Sequence, residues 1–284
     1  MSFILADLAA QRAKANVLMC GMETDTEPQS VFRKLFAQAG VAGAKILRTA
    51  IDGIYPPSCT GCGKQTAEPG ALCGACWNSI KFISKPYCAI YGTPFSTELG
   101  DGIISARAIA DPPLYARSRA AVSYQGLALR FVHGLKFQDR QDNAGWMAQW
   151  MARAAPDLIE DADVIVPVPL HWQRMVSRRF NQSALLAQKL ATGSKVEFAP
   201  LALKRIKPTI TQRGLTARER DANVKRAFIV PENQTIHIQG RRVLLVDDVI
   251  TTGSTINAAT KALLKAGARE VDILAFAMVL KHES

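Results

Sequence analysis

Four aliphatic residues, Val243–Val246, run without interruption into two adjacent carboxylates, Asp247 and Asp248; the chain then crosses Thr251-Thr252-Gly253-Ser254-Thr255 into a helical pattern over Ser254–Ala266. A short continuous apolar run bounded by turn residues reads as a strand buried on both faces, the environment of a parallel sheet covered by helices. In such sheets ligands collect where strands end and helices begin. Two carboxylates delivered there are costly to bury without partners. Ribose hydroxyls, a magnesium ion or a nearby Lys or Arg would satisfy them. Gly253 lets the loop take a backbone conformation closed to other residues and lets a ligand approach the main chain. The loop amides, the hydroxyls of Thr251, Thr252, Ser254 and Thr255 and the helix N-terminus together suit a phosphate dianion.

Three other readings compete. A Ser/Thr-rich turn before a helix can serve only as its cap. A strand ending in Asp is shared with NTPases, but those require GxxxxGK[ST] upstream, and the chain has no such match. A phosphoacceptor aspartate would not need TTGST directly after the acidic pair. The strand, acidic pair and TTGST taken as one unit favour phosphate binding.

The remainder of the chain supplies a sheet. Strands are expected at Ala120–Tyr124, Val164–Val168, Val243–Val246 and Val271–Leu280, and helices at Leu127–Phe137, Ala144–Ala154, Asn181–Ala191 and Ser254–Ala266. This alternation predicts an α/β domain over 115–284 built on a parallel sheet. Residues 1–54 form a poorly patterned extension, with the polar run ETDTEPQS in 1–30 and one helix over 31–52. The chain shows no internal repeat at this level.

Residues 55–114 are rich in Cys, Gly and Pro and too poor in apolar runs to build a core alone. Cys59-Thr-Gly-Cys62 and Cys73-Gly-Ala-Cys76 are two CxxC knuckles spaced for four thiolates around a tetrahedral zinc. An iron site would use similar ligands. With every position filled by protein, the metal is structural and the product is a small zinc ribbon.

Charge and composition narrow the setting. The 35 basic against 24 acidic residues give a net charge of +11, which suits nucleotides and nucleic acid or a solvated basic surface. No apolar run approaches the roughly 18 residues of a membrane span. The short apolar stretch at the N-terminus has its positive charges behind it, the reverse of a secretory signal. A soluble cytoplasmic protein is expected, and there a cysteine cluster favours metal over disulfides.

The flanks of the phosphate loop carry a family resemblance. Arg242–Thr255 looks like the phosphoribosyl pyrophosphate (PRPP) motif of type I phosphoribosyltransferases. Val166-Pro-Val-Pro-Leu-His171, Arg178-Arg-Phe-Asn-Gln182, Gln212-Arg-Gly-Leu215 and Arg220-Asp-Ala-Asn-Val224 resemble the ComF/GntX family, which includes the competence-associated ComFC proteins; the resemblance covers roughly 55–281. It implies a parallel-sheet type I phosphoribosyltransferase-like domain preceded by a small four-cysteine zinc ribbon. Asp247 and Asp248 would be the catalytic pair facing the ribose hydroxyls, with Val249, Thr251, Thr252, Gly253, Ser254 and Thr255 binding the 5-phosphate. The segment after Val164–Val168 would be a pyrophosphate loop in which His171, Arg174, Arg178 and Arg179 offer charge, though the same arginines suit a solvated basic face. Asn181 and Gln182 could equally cap the next helix. Residues 204–226 would form the mobile loop that closes over substrate, with Arg213, Arg218 and Arg220; an exposed loop or a nucleic-acid-binding strip fits the same sequence.

The chain departs from the family pattern after the first knuckles. Cys88-Ala-Ile-Tyr91-Gly92 has Tyr where a partner Cys would stand, and Ser105–Pro112 contains no cysteine, so Cys88 reads as a buried free thiol and a second metal is not expected. Two functions remain open. One is an enzyme that transfers phosphoribosyl from magnesium-bound PRPP to an acceptor the sequence does not reveal. The other is a non-catalytic factor on the same scaffold, handling single-stranded DNA alongside DNA-uptake proteins. Trp77, Phe82 and Tyr87 serve either as a base-stacking platform or as the small core of the ribbon.

Overall fold

The computed structural model describes residues 56–68, 70–97, 100, 102–137, 142–170, 180–206 and 227–280. Pro57–Ser284 forms one compact unit, separate from Met1–Pro56. The helix expected over 31–52 and Cys20 lie outside the described residues.

The described elements are α1 (Gly74–Asn78), α2 (Ala106–Ala110), β1 (Arg117–Ser123), α3 (Gly126–Phe137), α4 (Asn143–Ala154), α5 (Pro156–Glu160), β2 (Val164–Pro167), α6 (Gln182–Ser194), β3 (Glu197–Phe198), β4 (Lys204–Arg205), β5 (Phe228–Ile229), a 3-10 turn (Glu232–His237), β6 (Arg242–Ile250), α7 (Ser254–Lys265) and β7 (Glu270–Met278). Five strands form one sheet in the order β1-β7-β6-β2-β3, with every neighbouring pair parallel. The strands and helices expected over 115–284 are all present. The largest difference is β6, which runs to Ile250 and so carries Asp247 and Asp248 within its ladder, opposite Ala275–Ala277 of β7. Main-chain pairing ignores side-chain polarity, and for that reason the strand outlasts its apolar run.

The apolar runs divide between two faces, as period-two geometry demands. Leu244 and Val246 point into one core with Leu186 and Leu190 of α6, Phe131 and Leu135 of α3 and Met147 and Met151 of α4. Val243 and Leu245 point into the other, with Ile256, Ala259 and Leu263 of α7. A fully buried Leu or Met contributes about 1.5–3 kcal/mol relative to exposure.

The sheet has an edge at β1, and the cysteine-rich segment covers it. Ile83 N donates to Ala121 O, Ser123 N to Lys81 O and Ser118 N to Ile90 O, at 3.0, 2.8 and 2.7 Å. Gly92 makes the closest approach: its φ is +64°, and a Cβ there would stand 2.2 Å from Ser118 O. Cys59, Cys76 and Ile80 share a core with α3 and α4. The segment therefore borrows its hydrophobic interior from the sheet domain. An exposed ladder edge is a site of aggregation, and this cover removes it.

At the end of the sheet away from the phosphate loop, three strands are fastened by charge. Arg117 of β1 donates from Nε and Nη2 to the two oxygens of Asp272 on β7, at 3.1 and 2.7 Å, and Arg242 Nε of β6 donates to the same carboxylate at 2.8 Å. Burial alone would raise the Asp272 carboxyl, but the hydrogen bonds from Arg117 and Arg242 outweigh it and hold it below the usual range. A depressed carboxyl adds stability above its unfolded value of about 3.9 and loses it as pH falls through the folded value. Asp272→Ala should therefore destabilise the protein by about 3 kcal/mol at neutral pH, with a smaller deficit in acid. Denaturant melts at two pH values check this.

Candidate functional site

The strand order contains a reversal. From β2 the chain crosses by α6 to β3 on one side; from β6 it crosses by α7 to β7 on the other. The crevice between the carboxyl ends of β6 and β2 is the switch point at which open α/β sheets bind ligands. Two helices begin there. Asn181 caps α6, its Oδ1 accepting from Ser183 N at 3.1 Å, and ties it to β2 by donating from Nδ2 to Val168 O at 3.0 Å. The capping role open to Asn181 in the sequence is thus the one it plays.

Asp247 and Asp248 stand at the mouth of this crevice. Asp247 Oδ1 accepts from Ser183 Oγ at 2.9 Å and from Asp248 N at 2.8 Å. Asp248, buried, pairs with Lys136 Nζ of α3 at 2.8 Å. Burial, and then the charge of Asp248, push the Asp247 carboxyl up to about 7 against the pull of Ser183 and Lys136. Among the described residues the pair has one fixed cation and one hydroxyl donor.

The loop that follows leads directly into α7. Gly253 is the N-cap of α7 with φ +82°, and no side chain caps that helix. The hydroxyls of the loop are therefore not engaged as caps, and the first-turn amides of α7 have no partner within the helix. Thr252 Oγ1 lies 3.2 Å from Ser254 Oγ, Ser254 is buried, and Thr251 is exposed at the rim. Val249 packs against the core on the α6 face. Gln182 is 1% exposed beside Ser183, and neither atom of its amide has a hydrogen-bond partner. His171, Arg174, Arg178, Arg179, Arg213, Arg218 and Arg220 lie outside the described residues. The sequence did not single out Lys136 or Ser183. Lys136 ends an ordinary amphipathic helix, and only the tertiary fold brings it to Asp248.

The four ribbon cysteines converge. Their sulfurs all lie within 4.8 Å of one another, with Cys62 and Cys73 at 3.6 Å. A tetrahedron with Zn–S bonds of about 2.3 Å has edges of about 3.8 Å, so the donor set fits zinc. Gly61 N and Cys73 N donate to Cys59 Sγ at 3.4 and 3.3 Å. Burial raises the Cys59 thiol, but these amides and that of Cys62 outweigh it and bring it down to about 6, while burial and the neighbouring thiols push Cys76 up to about 12. Four thiols so close cannot all ionise without a cation between them.

The structure also corrects the absence of a repeat. A second lobe reproduces the first at Cys88. The bridge Ser58↔Gln65 recurs as Tyr87↔Pro94. Cys59 N to Lys64 O and Gly63 N to Cys59 O recur as Cys88 N to Thr93 O and Gly92 N to Cys88 O. Gly63 and Gly92 both have positive φ, +76° and +64°. Cys73 N donates to Cys59 Sγ just before α1, and Ser105 N donates to Cys88 Sγ just before α2, both at 3.3 Å. By position, Tyr91, Ser105 and Ala108 stand where Cys62, Cys73 and Cys76 stand in the first lobe. Cys88 is fully buried and free, as expected. In place of a metal, Tyr91 donates its hydroxyl to Asp111 O at 2.8 Å and lies under the Arg107 guanidinium at 4.6 Å. His133 is exposed and lines a cleft of about 690 Å³ beside the first knuckle with Arg130 and Asn143, away from the acidic pair.

Both segments match known families. The double zinc ribbon domain family matches residues 50–107, and the phosphoribosyl transferase domain family matches 183–283. Competence protein F of Haemophilus influenzae is 32% identical over 223 residues, which is 74% of this chain and 92% of that protein. The chain belongs to the ComF family. DNA utilization protein YhgH of Escherichia coli K12 is 32% identical over 222 residues, 76% of this chain and 87% of the relative. Competence protein ComFC of Bacillus subtilis is 25% identical over 200 residues, 69% and 79%. Among the described residues no helix is long and apolar enough to cross a membrane.

Two outcomes follow for this ComF chain. A carboxyl raised to about 7 in the fold costs stability that grows as pH climbs from about 4 and levels off above 7. Asp247→Asn should therefore melt several degrees higher than wild type near pH 8 and at the same temperature near pH 4, by calorimetry. Elemental analysis should give one zinc per chain despite the two lobes, and Tyr91→Cys/Ser105→Cys/Ala108→Cys should raise it to two.

Proposed function

We propose that this ComF-family chain binds the ribose 5-phosphate end of PRPP in the crevice between β6 and β2 and transfers the phosphoribosyl group to a nucleophile. The observation that carries this is the acidic pair set between two helix N-termini at the switch point, directly before a loop whose hydroxyls are left unengaged by capping. The 5-phosphate sits in the turn Thr251–Thr255, against the amides that begin α7. The ribose hydroxyls donate to Asp247 and Asp248, which relieves the crowding of two carboxylates. Magnesium accompanies the pyrophosphate, and His171, Arg174, Arg178 and Arg179 are the residues proposed to supply charge to that group.

In the reaction the nucleophile's lone pair forms a bond to the anomeric carbon as the bond from that carbon to the pyrophosphate oxygen breaks. Pyrophosphate leaves with the electron pair, and the nucleophile's proton passes to the departing pyrophosphate or to water. The ribose ring gains positive charge on the way. Asp247 and Asp248 stabilise it, and orientation by the phosphate turn supplies much of the rest. Lys136 is a positioning residue: it holds Asp248 in place from α3. Arg213, Arg218 and Arg220 belong to the loop that excludes water on closure. The protein acts in the cytoplasm.

Calorimetric titration of magnesium–PRPP into the zinc-loaded protein tests this. Wild type should bind, Asp247→Asn/Asp248→Asn should lose binding, and Lys136→Met should weaken it about tenfold or more, the loss of one charge-assisted contact. A folded wild type that takes up no PRPP would overturn the proposal. A second reading, a non-catalytic factor that handles single-stranded DNA with DNA-uptake proteins, draws on the relatives called competence and DNA utilization proteins and on the net charge of +11.

A further inference from the structure

The zinc lobe meets the sheet domain through a cluster of aromatic rings, and the outer two are not covered. Trp77 is 45% exposed and Phe82 39%, with ring centroids 4.9 Å apart. Beneath them Trp150 of α4 meets Trp77 edge-on at 5.4 Å and Phe82 at 5.0 Å, and the partly buried Trp146 lies 4.7 Å from Trp150. Trp150 is 9% exposed, so this ring makes the joint and the outer pair is left with open surface. Large rings exposed side by side are uncommon on a soluble protein and mark an interaction surface.

Both outer rings are held firmly. Trp77 follows the zinc ligand Cys76, and its main-chain N–H donates to Cys73 O at 2.9 Å, so the metal lobe sets its position. Phe82 is bridged to Val122 of β1 and sits between two main-chain hydrogen bonds to that strand. Such rings cost little entropy to present.

The segments that carry them are basic in sequence. No carboxylate occurs between Glu68 and Glu98, while Lys81 and Lys85, both exposed, flank Phe82 in sequence. Arg153, exposed, lies one turn beyond Trp150 on α4, and α4 holds no carboxylate either. Aromatic faces with cations beside them in sequence suit a polyanion that exposes flat rings. A single strand of nucleic acid offers both, because each unpaired base has a face to stack and each phosphate a charge to neutralise. A duplex hides its base faces.

We propose that Trp77 and Phe82 form a stacking platform for unpaired bases of single-stranded DNA, with Lys81 and Arg153 meeting the flanking phosphates. The platform deepens the DNA-handling reading and rests on it. It is separate from the PRPP crevice, and the zinc lobe is what builds it.

The test is fluorescence anisotropy with the zinc-loaded full chain and a labelled oligothymidylate, beside an abasic strand of equal length. Wild type should bind the oligothymidylate about tenfold or more tighter than the abasic strand, since stacking follows the bases and not the charge. Trp77→Ala/Phe82→Ala should remove that preference and leave the salt slope near its wild-type value, while Lys81→Gln/Arg153→Gln should flatten the slope by roughly 0.7 per lost phosphate contact. Zinc content and PRPP binding report that the variants are folded. Should the double alanine variant lose its zinc, Trp77→Leu keeps apolar bulk without the ring face and should show the same loss of preference. Equal binding of both strands by wild type, or an unchanged preference in the ring variants, would sink the platform and leave DNA binding elsewhere on the chain standing. No binding of any strand would sink the platform and the DNA-handling reading together, with PRPP binding unaffected.

Discussion

Two adjacent carboxylates at the end of a buried strand repel each other, and the groups around the crevice answer that repulsion. Lys136 neutralises Asp248 from one helix, Ser183 donates to Asp247 from the start of another, and the main-chain N–H of Asp248 closes on its neighbour. The compensation is incomplete, and Asp247 remains up near 7. A site left in this condition is less stable than a neutral one. Stability given up at a strand terminus is a common accompaniment of function.

The opposite end of the same sheet shows what full compensation looks like. Asp272 is as deeply placed as the pair, yet Arg117 and Arg242 together satisfy it, and its carboxyl is held down rather than pushed up. Both ends hold acids on β6 or β7. The number and fit of the cations decide that one carboxyl is held down and the other pushed up. A bidentate arginine offers matched donors and stays charged, whereas a lysine gives a single point of contact.

Much of this was legible in the sequence, because the signals were local. Four aliphatic residues followed by DD and TTGST placed a strand, a turn and a helix in the right order, and the two CxxC knuckles located a cysteine centre whose sulfurs do converge. What was not legible depends on the fold. Lys136 has no local mark that separates it from any lysine ending an amphipathic helix. The second lobe escaped for another reason: three of its four ligand positions have changed residue type, and its likeness to the first lobe survives in main-chain hydrogen bonds and in the paired glycines Gly63 and Gly92, which are too common to reveal a repeat.

The two lobes show how one backbone can be kept by different means. The first has four thiols too close to stand without a cation, so its turns depend on metal. The second keeps the same turns with Tyr91 set between Arg107 and Tyr115, and with Cys88 accepting from Tyr91 N and Ser105 N. That lobe is also the one that lies on β1 through Gly92 and Ile90. Cover of the sheet edge therefore falls partly to the lobe that needs no metal, and the metal-dependent lobe is the one that carries Trp77 and packs on α3. Loss of zinc would then act first on the aromatic surface and on the helix that holds Lys136, while the Ile90 and Gly92 contacts with β1 persist. The chain thereby separates the lobe that covers its sheet edge from the lobe that carries Trp77 and packs on α3.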